Sequence, residues 1–182
     1  MSETSVRDKI FVSYSHKDSW WLEEFMRMMT PQVRSGKLLI WSDTSIPTGS
    51  RWREEINKAL SESRVAVLAI SDHFMHSDFI HKIELPSLLL AAQEDGVRIC
   101  WCLLSACIFE DTTIGSLQAA HDISKSFDKM GPAQRKETLK SVAKSVMSLY
   151  ENISPSISWQ EDEASGPSDN AQSRKSQTSV LT

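Results

Sequence analysis

Glu84 is the acidic side chain whose sequence surroundings most favour a chemical role. It follows the apolar run Val65 to Ile70 at a distance that fits the first turn of the next helix. Pro86 lacks an amide hydrogen and disfavours a helical Leu85, which predicts a helix that bends or restarts just after Glu84. The helical positions around the carboxylate are apolar: Ile80, Ile83 and Leu88. An acid at an irregular first turn, close to the end of a buried strand, predicts a cleft.

Familiar catalytic motifs of α/β proteins are missing from the sequence. The six glycines are isolated and form neither a Walker loop nor a dinucleotide fingerprint. Tyr14 and Ser15 stand where a phosphoacceptor receiver would carry clustered acids, and no Gly-x-Ser-x-Gly elbow occurs. The sequence therefore disfavours ordinary nucleotide and hydrolase chemistry.

The histidines and cysteines do not form a recognisable metal site. His73, His76 and His81 lack a carboxylate or cysteine at ligand spacing, so we interpret them as surface side chains. Cys100 and Cys102 share one face of a strand and are interpreted as small buried apolar groups. We predict no metal.

Strand and helix patterns alternate along the chain. The predicted strands are Ile10–Tyr14, Leu38–Trp41, Val65–Ile70 and Val97–Leu104. Amphipathic helices are predicted from Asp18 or Ser19, from Ser50, around Pro86 and from near Pro132. Buried strands separated by helices indicate a doubly wound parallel sheet of about five strands, with helices on both faces. The stretch 105–128 is predicted to hold a short edge strand and a loop-rich crossover.

Composition sets further limits on the function. With 182 residues and a net charge of −4, the chain fits one domain and lacks the basic field of a nucleic-acid or anionic-lipid binder. We expect an N-terminal lead over 1–8, a domain over 9–152 and a disordered tail or linker over 153–182. No apolar stretch approaches a membrane span, and three clustered cysteines suit a reducing compartment. A cytoplasmic protein without nucleic-acid or membrane partners is the expectation.

Several motifs in the same order resemble the TIR domain family, particularly bacterial-type members. They are Lys9 to Asp18, Trp41 to Trp52, Val65 to Ser71, Ser77 to Ile80, Glu84 to Pro86 and Gln118 to Asp122. The first motif is similar to the first strand and loop of that family, and the second to its second strand and BB loop. The next three are similar to the third strand and the helix that follows it, and the last to a late segment. The resemblance covers about residues 9–150 and implies a single flavodoxin-like domain.

The resemblance implies that this chain cleaves the nicotinamide–ribose bond of NAD⁺. Many TIR domains use one glutamate on this helix, and Glu84 matches its position. One carboxylate suffices because nicotinamide leaves as a neutral ring, so that only the oxocarbenium-like ribose needs stabilisation. NAD⁺ would be the substrate, with no further cofactor.

By the same resemblance, several residues would lie around NAD⁺: Tyr14, Ser15, His16, Asp43, Ser77 and Ile80. Ile80, beside Phe79, replaces the aromatic residue usual in the family four positions before the glutamate. Each residue also has a structural interpretation: Glu84 as a solvated acid at a helix start, Tyr14 as a packing residue, His16 as a solvated loop histidine.

Two functions from different classes follow from the resemblance. The first is an NAD⁺ glycohydrolase or cyclase in immune or defence signalling, activated when the chain self-associates through the BB loop, Asp43 to Trp52. The second is a non-catalytic adaptor that binds other TIR domains through the same loop. The carboxylate at position 84 favours the first, because a scaffold has no use for it.

Overall fold

The structure is a computed structural model that describes residues 7–42, 51–78 and 80–152. Asp43, most of the BB loop and the tail from 153 lie outside the described residues. The strands are β1 (Lys9–Ser13), β2 (Leu39–Ser42), β3 (Ser63–Ile70) and β4 (Arg98–Leu103). The α-helices are α1 (Ser19–Arg34), α2 (Trp52–Ser61), α3 (Asp72–Met75), α4 (Leu85–Glu94) and α5 (Pro132–Glu151). These elements match the predicted alternation of strands and helices.

The four strands form a parallel sheet in the order β2-β1-β3-β4. β1 is central and pairs with both β2 and β3. Lys9 lies opposite Leu39 of β2, and Ile10 lies opposite Val65 of β3. The chain therefore leaves β1 to one side and returns to its other side, as in doubly wound folds. This arrangement confirms the predicted fold class.

Alternate residues of each strand supply the two apolar cores. In β3, Val65, Val67 and Ala69 join the core beneath α1 and α5. Ala66, Leu68 and Ile70 join the opposite core beneath α2 and α4. The side-chain period of two in a strand thus explains why β3 is apolar throughout: both of its faces are covered by helices.

The crossover after β4 contributes a single sheet contact within the described residues. Ala119 forms an isolated parallel bridge with Trp101, and the Trp101 Nε1–H donates to the carbonyl of Leu117 at 2.9 Å. A fifth strand was expected near here, but the stretch consists of turns, bends and the short 3₁₀ helices Thr113–Ser116 and Phe127–Lys129. The bridge marks the position beside β4 that a fifth strand would occupy.

Cys100 and Cys102 are buried on β4, as predicted from their alternation. Burial raises the pKa of the Cys100 thiol to about 12 and that of Cys102 well above its ordinary value. Both thiols therefore stay protonated and act as packing groups. Among the described helices, none is long and apolar enough to cross a membrane.

Candidate functional site

The strand order predicts a crevice at the carboxyl ends of β1 and β3. The connection from β1 leads through α1 to β2, whereas β3 lies on the other side of β1 and continues toward α4. The loops that follow two such neighbouring strands diverge to opposite faces of the sheet and leave space between them. Ligands of open parallel sheets bind at this point.

A buried hydrogen-bond relay joins the two loops at this point. The Ser71 hydroxyl, directly after β3, donates to Asp18 Oδ2 at 2.5 Å, and the two residues are 0% and 6% exposed. Ser71 Oγ in turn accepts the amide N–H of Phe74 at 2.9 Å and caps α3. The relay fixes the loop after β1 against the start of the segment that leads to Glu84.

The sequence interpretation missed this role of Asp18. Asp18 or Ser19 was expected to cap α1, but Asp18 makes no side-chain capping bond and Ser19 is already the first helical residue. The Asp18 carboxylate instead accepts a hydrogen bond from Ser71, which directly follows β3 and is 53 residues away in the sequence. An Asp shortly after a buried strand is the only local signal, and it fits a cap equally well.

The other predicted residues of the first loop lie close together. Tyr14 is 4% exposed, and its ring lies 5.7 Å from the exposed His16 imidazole, centroid to centroid. Ser15 is half-buried and its carbonyl accepts the Asp18 N–H at 2.7 Å. Tyr14 is thus held at the strand end with His16 on its solvent side.

The segment that carries Glu84 is a π-helix, Ile80–Glu84, which passes directly into α4 at Leu85. Pro86 lies in the first turn of α4 and cannot donate the α-helical bond to the carbonyl of Lys82. The predicted irregularity therefore occurs just after Glu84, as a change of helix type, although Leu85 itself is helical. π-helical turns inside α-helices are frequent at functional sites.

Glu84 is 3% exposed in this segment. The interpretation of a solvated acid at a helix start is therefore wrong. Carboxylates are almost never so deeply buried without a partner, and Glu84 does make a polar interaction in the structure. Because β3 ends at the carboxyl edge and α4 returns the chain to the opposite edge, the π-helical segment lies toward the carboxyl edge of the sheet, where the crevice is predicted.

Ser77 and Ile80 lie at the start of the same segment. The Ser77 hydroxyl accepts the Ile80 N–H at a long 3.4 Å, and the Ser77 carbonyl accepts the His81 N–H at 3.1 Å. Ile80 is 2% exposed and packs in the core beneath α2 and α4. The structure gives Ile80 a packing position, while its predicted contact with NAD⁺ stays a prediction.

His121 ties the crossover 105–128 to the carboxyl end of β4. Its Nε2 accepts the Leu103 N–H at 3.0 Å, so Nδ1 carries the proton and donates to the Asp122 carbonyl at 2.8 Å. Its ring also meets Phe127 edge-on at 5.1 Å between centroids. Burial lowers the pKa of His121, in accord with a neutral imidazole that accepts a hydrogen bond.

The described parts of the chain contain no group of three or more histidine, cysteine or acidic residues placed to hold a metal ion. Asp43, the remaining predicted site residue, lies outside the described residues. The structure thus places Tyr14 beside His16, Ser77 beside Ile80, and the relay of Asp18 and Ser71 between the two loops.

Comparison with known proteins gives the following matches. A family model described as TIR domain matches residues 10–139. An uncharacterized protein of Sinorhizobium fredii, y4lF, is 24% identical over 110 residues, which are 60% of this chain and 34% of that protein. The chain thus spans about a third of the length of this curated relative. Among solved structures, the TIR domains of the activated Roq1 resistosome match with 16% identity and a TM-score of 0.45, covering 75% of this chain and 84% of that one.

Proposed function

The chain belongs to the TIR domain family, and we propose that it is an NAD⁺ glycohydrolase or cyclase whose catalytic carboxylate is Glu84. The burial of Glu84 carries this proposal. A carboxylate that is 3% exposed costs free energy to bury even when it has a polar partner, which favours a role beyond the binding of other TIR domains. Buried acids in a helical irregularity beside a ligand crevice are typical of functional sites.

The proposed reaction breaks the bond between ribose C1′ and the nicotinamide nitrogen. The bonding electron pair leaves with the nicotinamide, which becomes neutral, and positive charge develops on the ribose ring. The Glu84 carboxylate stabilises that charge or holds the ribose hydroxyls. Water then adds to C1′ and loses a proton, which gives ADP-ribose; attack by another atom of the same ADP-ribose gives a cyclic product.

The remaining site residues have supporting roles in the proposal. Tyr14, Ser15 and His16 would line one side of the crevice, and Ser77 and Ile80 would position the segment that carries Glu84. Asp43 and the BB loop would complete the site. The buried relay from Asp18 through Ser71 to Phe74 supports this arrangement because it holds the loops after β1 and β3 together.

Activation by self-association is the second part of the proposal. In a single chain Glu84 presents little surface to solvent, so a substrate has poor access to its carboxylate. Contact with the BB loop of a second copy would rearrange the crevice and admit NAD⁺. The protein would then act in immune or defence signalling, where assembly is the trigger.

The alternative is a non-catalytic adaptor that binds other TIR domains through the BB loop. The two functions differ in what happens to NAD⁺. We expect free nicotinamide when the protein is incubated with NAD⁺ at high protein concentration and the products are separated by chromatography. The rate per chain should fall when dilution abolishes association, as measured by light scattering.

Two results would count against the proposal in different ways. Intact NAD⁺ at concentrations where the protein is assembled would favour the adaptor. Specific activity that is unchanged on dilution to the monomer would leave the enzyme but remove activation by assembly.

A further inference from the structure

The helices α1 and α5 leave an open groove between them, on the face of the molecule built on β1, β3 and β4. The half nearer the end of α5 has a volume of about 380 Å³ and extends to Glu151. The other half has a volume of about 430 Å³ and reaches Pro132. Met28 lines both halves, so the groove follows most of the length of α5.

The groove has an apolar floor and a rim on which cations outnumber acids. Two acids, Glu24 and Glu151, also line it, and Lys140 lies 3.5 Å from Glu137. Three methionines contribute to the floor, Met28, Met29 and Met147, and methionine side chains adapt to irregular partners. Exposed cations along the rim are Arg27, Lys136, Lys140 and Lys144. The three lysines follow one another at intervals of four residues and therefore share one side of α5. A complementary partner combines apolar side chains with a cluster of acids.

The chain itself contains such a partner directly after α5. Residues 153–163 carry three large apolar side chains followed by three consecutive acids: Ile153, Ile157, Trp159, Glu161, Asp162 and Glu163. We propose that this segment binds back into the groove between α1 and α5, with Trp159 among the methionines and the acids against the lysines of α5.

The lengths involved allow this arrangement. Trp159 is seven residues beyond Asn152, which gives an extended reach of about 23 Å. Lys144 and Lys140 lie about 12 and 18 Å back along α5 from Asn152, at about 1.5 Å per residue. Glu161 to Glu163 reach about 30 Å or more and can meet all three lysines.

Attachment to α5 favours this segment over a separate partner. A short tether gives an effective concentration on the order of millimolar, so that weak contacts are enough to occupy the groove. A bound segment also covers the exposed sides of α1 and α5. The proposed docking concerns the face of α1 and α5 and does not depend on the proposed reaction at Glu84.

Carbodiimide cross-linking tests the proposal on the full chain, because it joins lysine to carboxylate without a spacer. Unlabelled protein is mixed with ¹⁵N-labelled protein, and the cross-linked peptides are identified by mass. We expect links from Glu161, Asp162 or Glu163 to Lys136, Lys140 or Lys144 within one isotopic form. Absence of these links, or links only between the two isotopic forms, would overturn the proposal; the second result would indicate docking between copies.

Two substitutions that leave every cross-linking group intact test the apolar part. Trp159→Ala and Met147→Asn should each lower the yield of these links about fivefold, which corresponds to about 1 kcal/mol of docking free energy. Met26→Asn, on α1 outside the groove-lining set, is the matched control and should leave the yield unchanged. Circular dichroism checks that each variant is folded. A yield that Trp159→Ala does not lower would contradict the docking.

Discussion

The two edges of the sheet differ in their polar side chains. At the first edge, where the strands begin, these side chains form ion pairs near the surface. At the second edge, where the strands end, they are buried. At the first edge, Arg7 pairs with Asp95 and Lys9 with Glu62, and all four side chains keep between 23% and 47% of their surface exposed. One buried polar side chain also lies there: Ser63, which donates to the Ala59 carbonyl at 2.6 Å. At the second edge, the described residues include five buried polar side chains: Ser13, Asp18, Ser42, Ser71 and Glu84.

This difference separates ion pairs that contribute little to stability from buried polar groups that the fold must satisfy and that can also serve a ligand. Exposed ion pairs contribute little free energy and need no special surroundings. Buried hydroxyls and carboxylates require partners and lower stability if those partners are lost. In open parallel sheets ligands bind at the carboxyl ends of the strands, so we expect recognition or chemistry at the edge where most of the buried polar groups lie.

The largest effect on stability is expected at the buried edge, from Asp18→Ala. The Ser71 hydroxyl then loses a charged acceptor in a buried site, so we expect a loss of about 2 kcal/mol in the free energy of unfolding. Glu62→Gln at the opposite edge removes one charge of a half-buried pair that still reaches solvent and should cost about 0.5 kcal/mol. Urea midpoints at unchanged slope measure both.

A double-mutant cycle of Asp18→Ala and Ser71→Ala tests the relay itself. The two effects should be non-additive by at least about 0.5 kcal/mol because the residues share one hydrogen bond. Additive effects, or equal losses for Asp18→Ala and Glu62→Gln, would remove the distinction between the two edges.

An intermediate effect is expected from Tyr150→Phe, at the edge where the strands begin. The Tyr150 hydroxyl lies 3.0 Å from the Asp8 carbonyl and 3.2 Å from that of Lys37, so that it joins the starts of β1 and β2. Its loss should cost about 1 kcal/mol of unfolding free energy and leave the catalytic rate unchanged. A larger effect on the rate than on stability would connect this edge to the site.

The smallest effect is a dependence of stability on pH through His121. Its folded pKa is below the ordinary 6.5, so the unfolded chain takes up the proton first as the pH falls. This contribution is complete above about pH 6.5 and is lost as the pH falls toward the folded pKa. A protonated ring can no longer accept the Leu103 N–H.

His121→Gln should therefore reduce the loss of stability between about pH 7.5 and 5.5. His73→Gln, at an exposed histidine on α3, is the matched control and should leave that loss unchanged. Urea midpoints at both pH values give the comparison. Identical pH dependence in His121→Gln and the unsubstituted protein would show that the imidazole is not the group responsible.

The fold was predictable because its signals are local. Apolar runs such as Val65–Ile70 identify strands covered on both faces, and Pro86 locates the irregularity after Glu84. The relay was not predictable, because Asp18 meets Ser71 only when β1 and β3 lie side by side. The prediction of a fifth strand was wrong for a similar reason. The sequence of 105–128 mixes short apolar and turn-forming stretches, and packing against Trp101 decides which of its residues pair with β4.

The central claim is that Glu84 acts in the cleavage of NAD⁺, and the rate of nicotinamide release tests it most directly. Glu84→Gln keeps the size of the side chain but removes its charge; Glu94→Gln makes the same change at the exposed last residue of α4. In folded samples with equal self-association, we predict that Glu84→Gln lowers the rate by about 100-fold or more, while Glu94→Gln retains it. A Glu84→Gln protein that releases nicotinamide as fast as the Glu94→Gln protein would contradict the account.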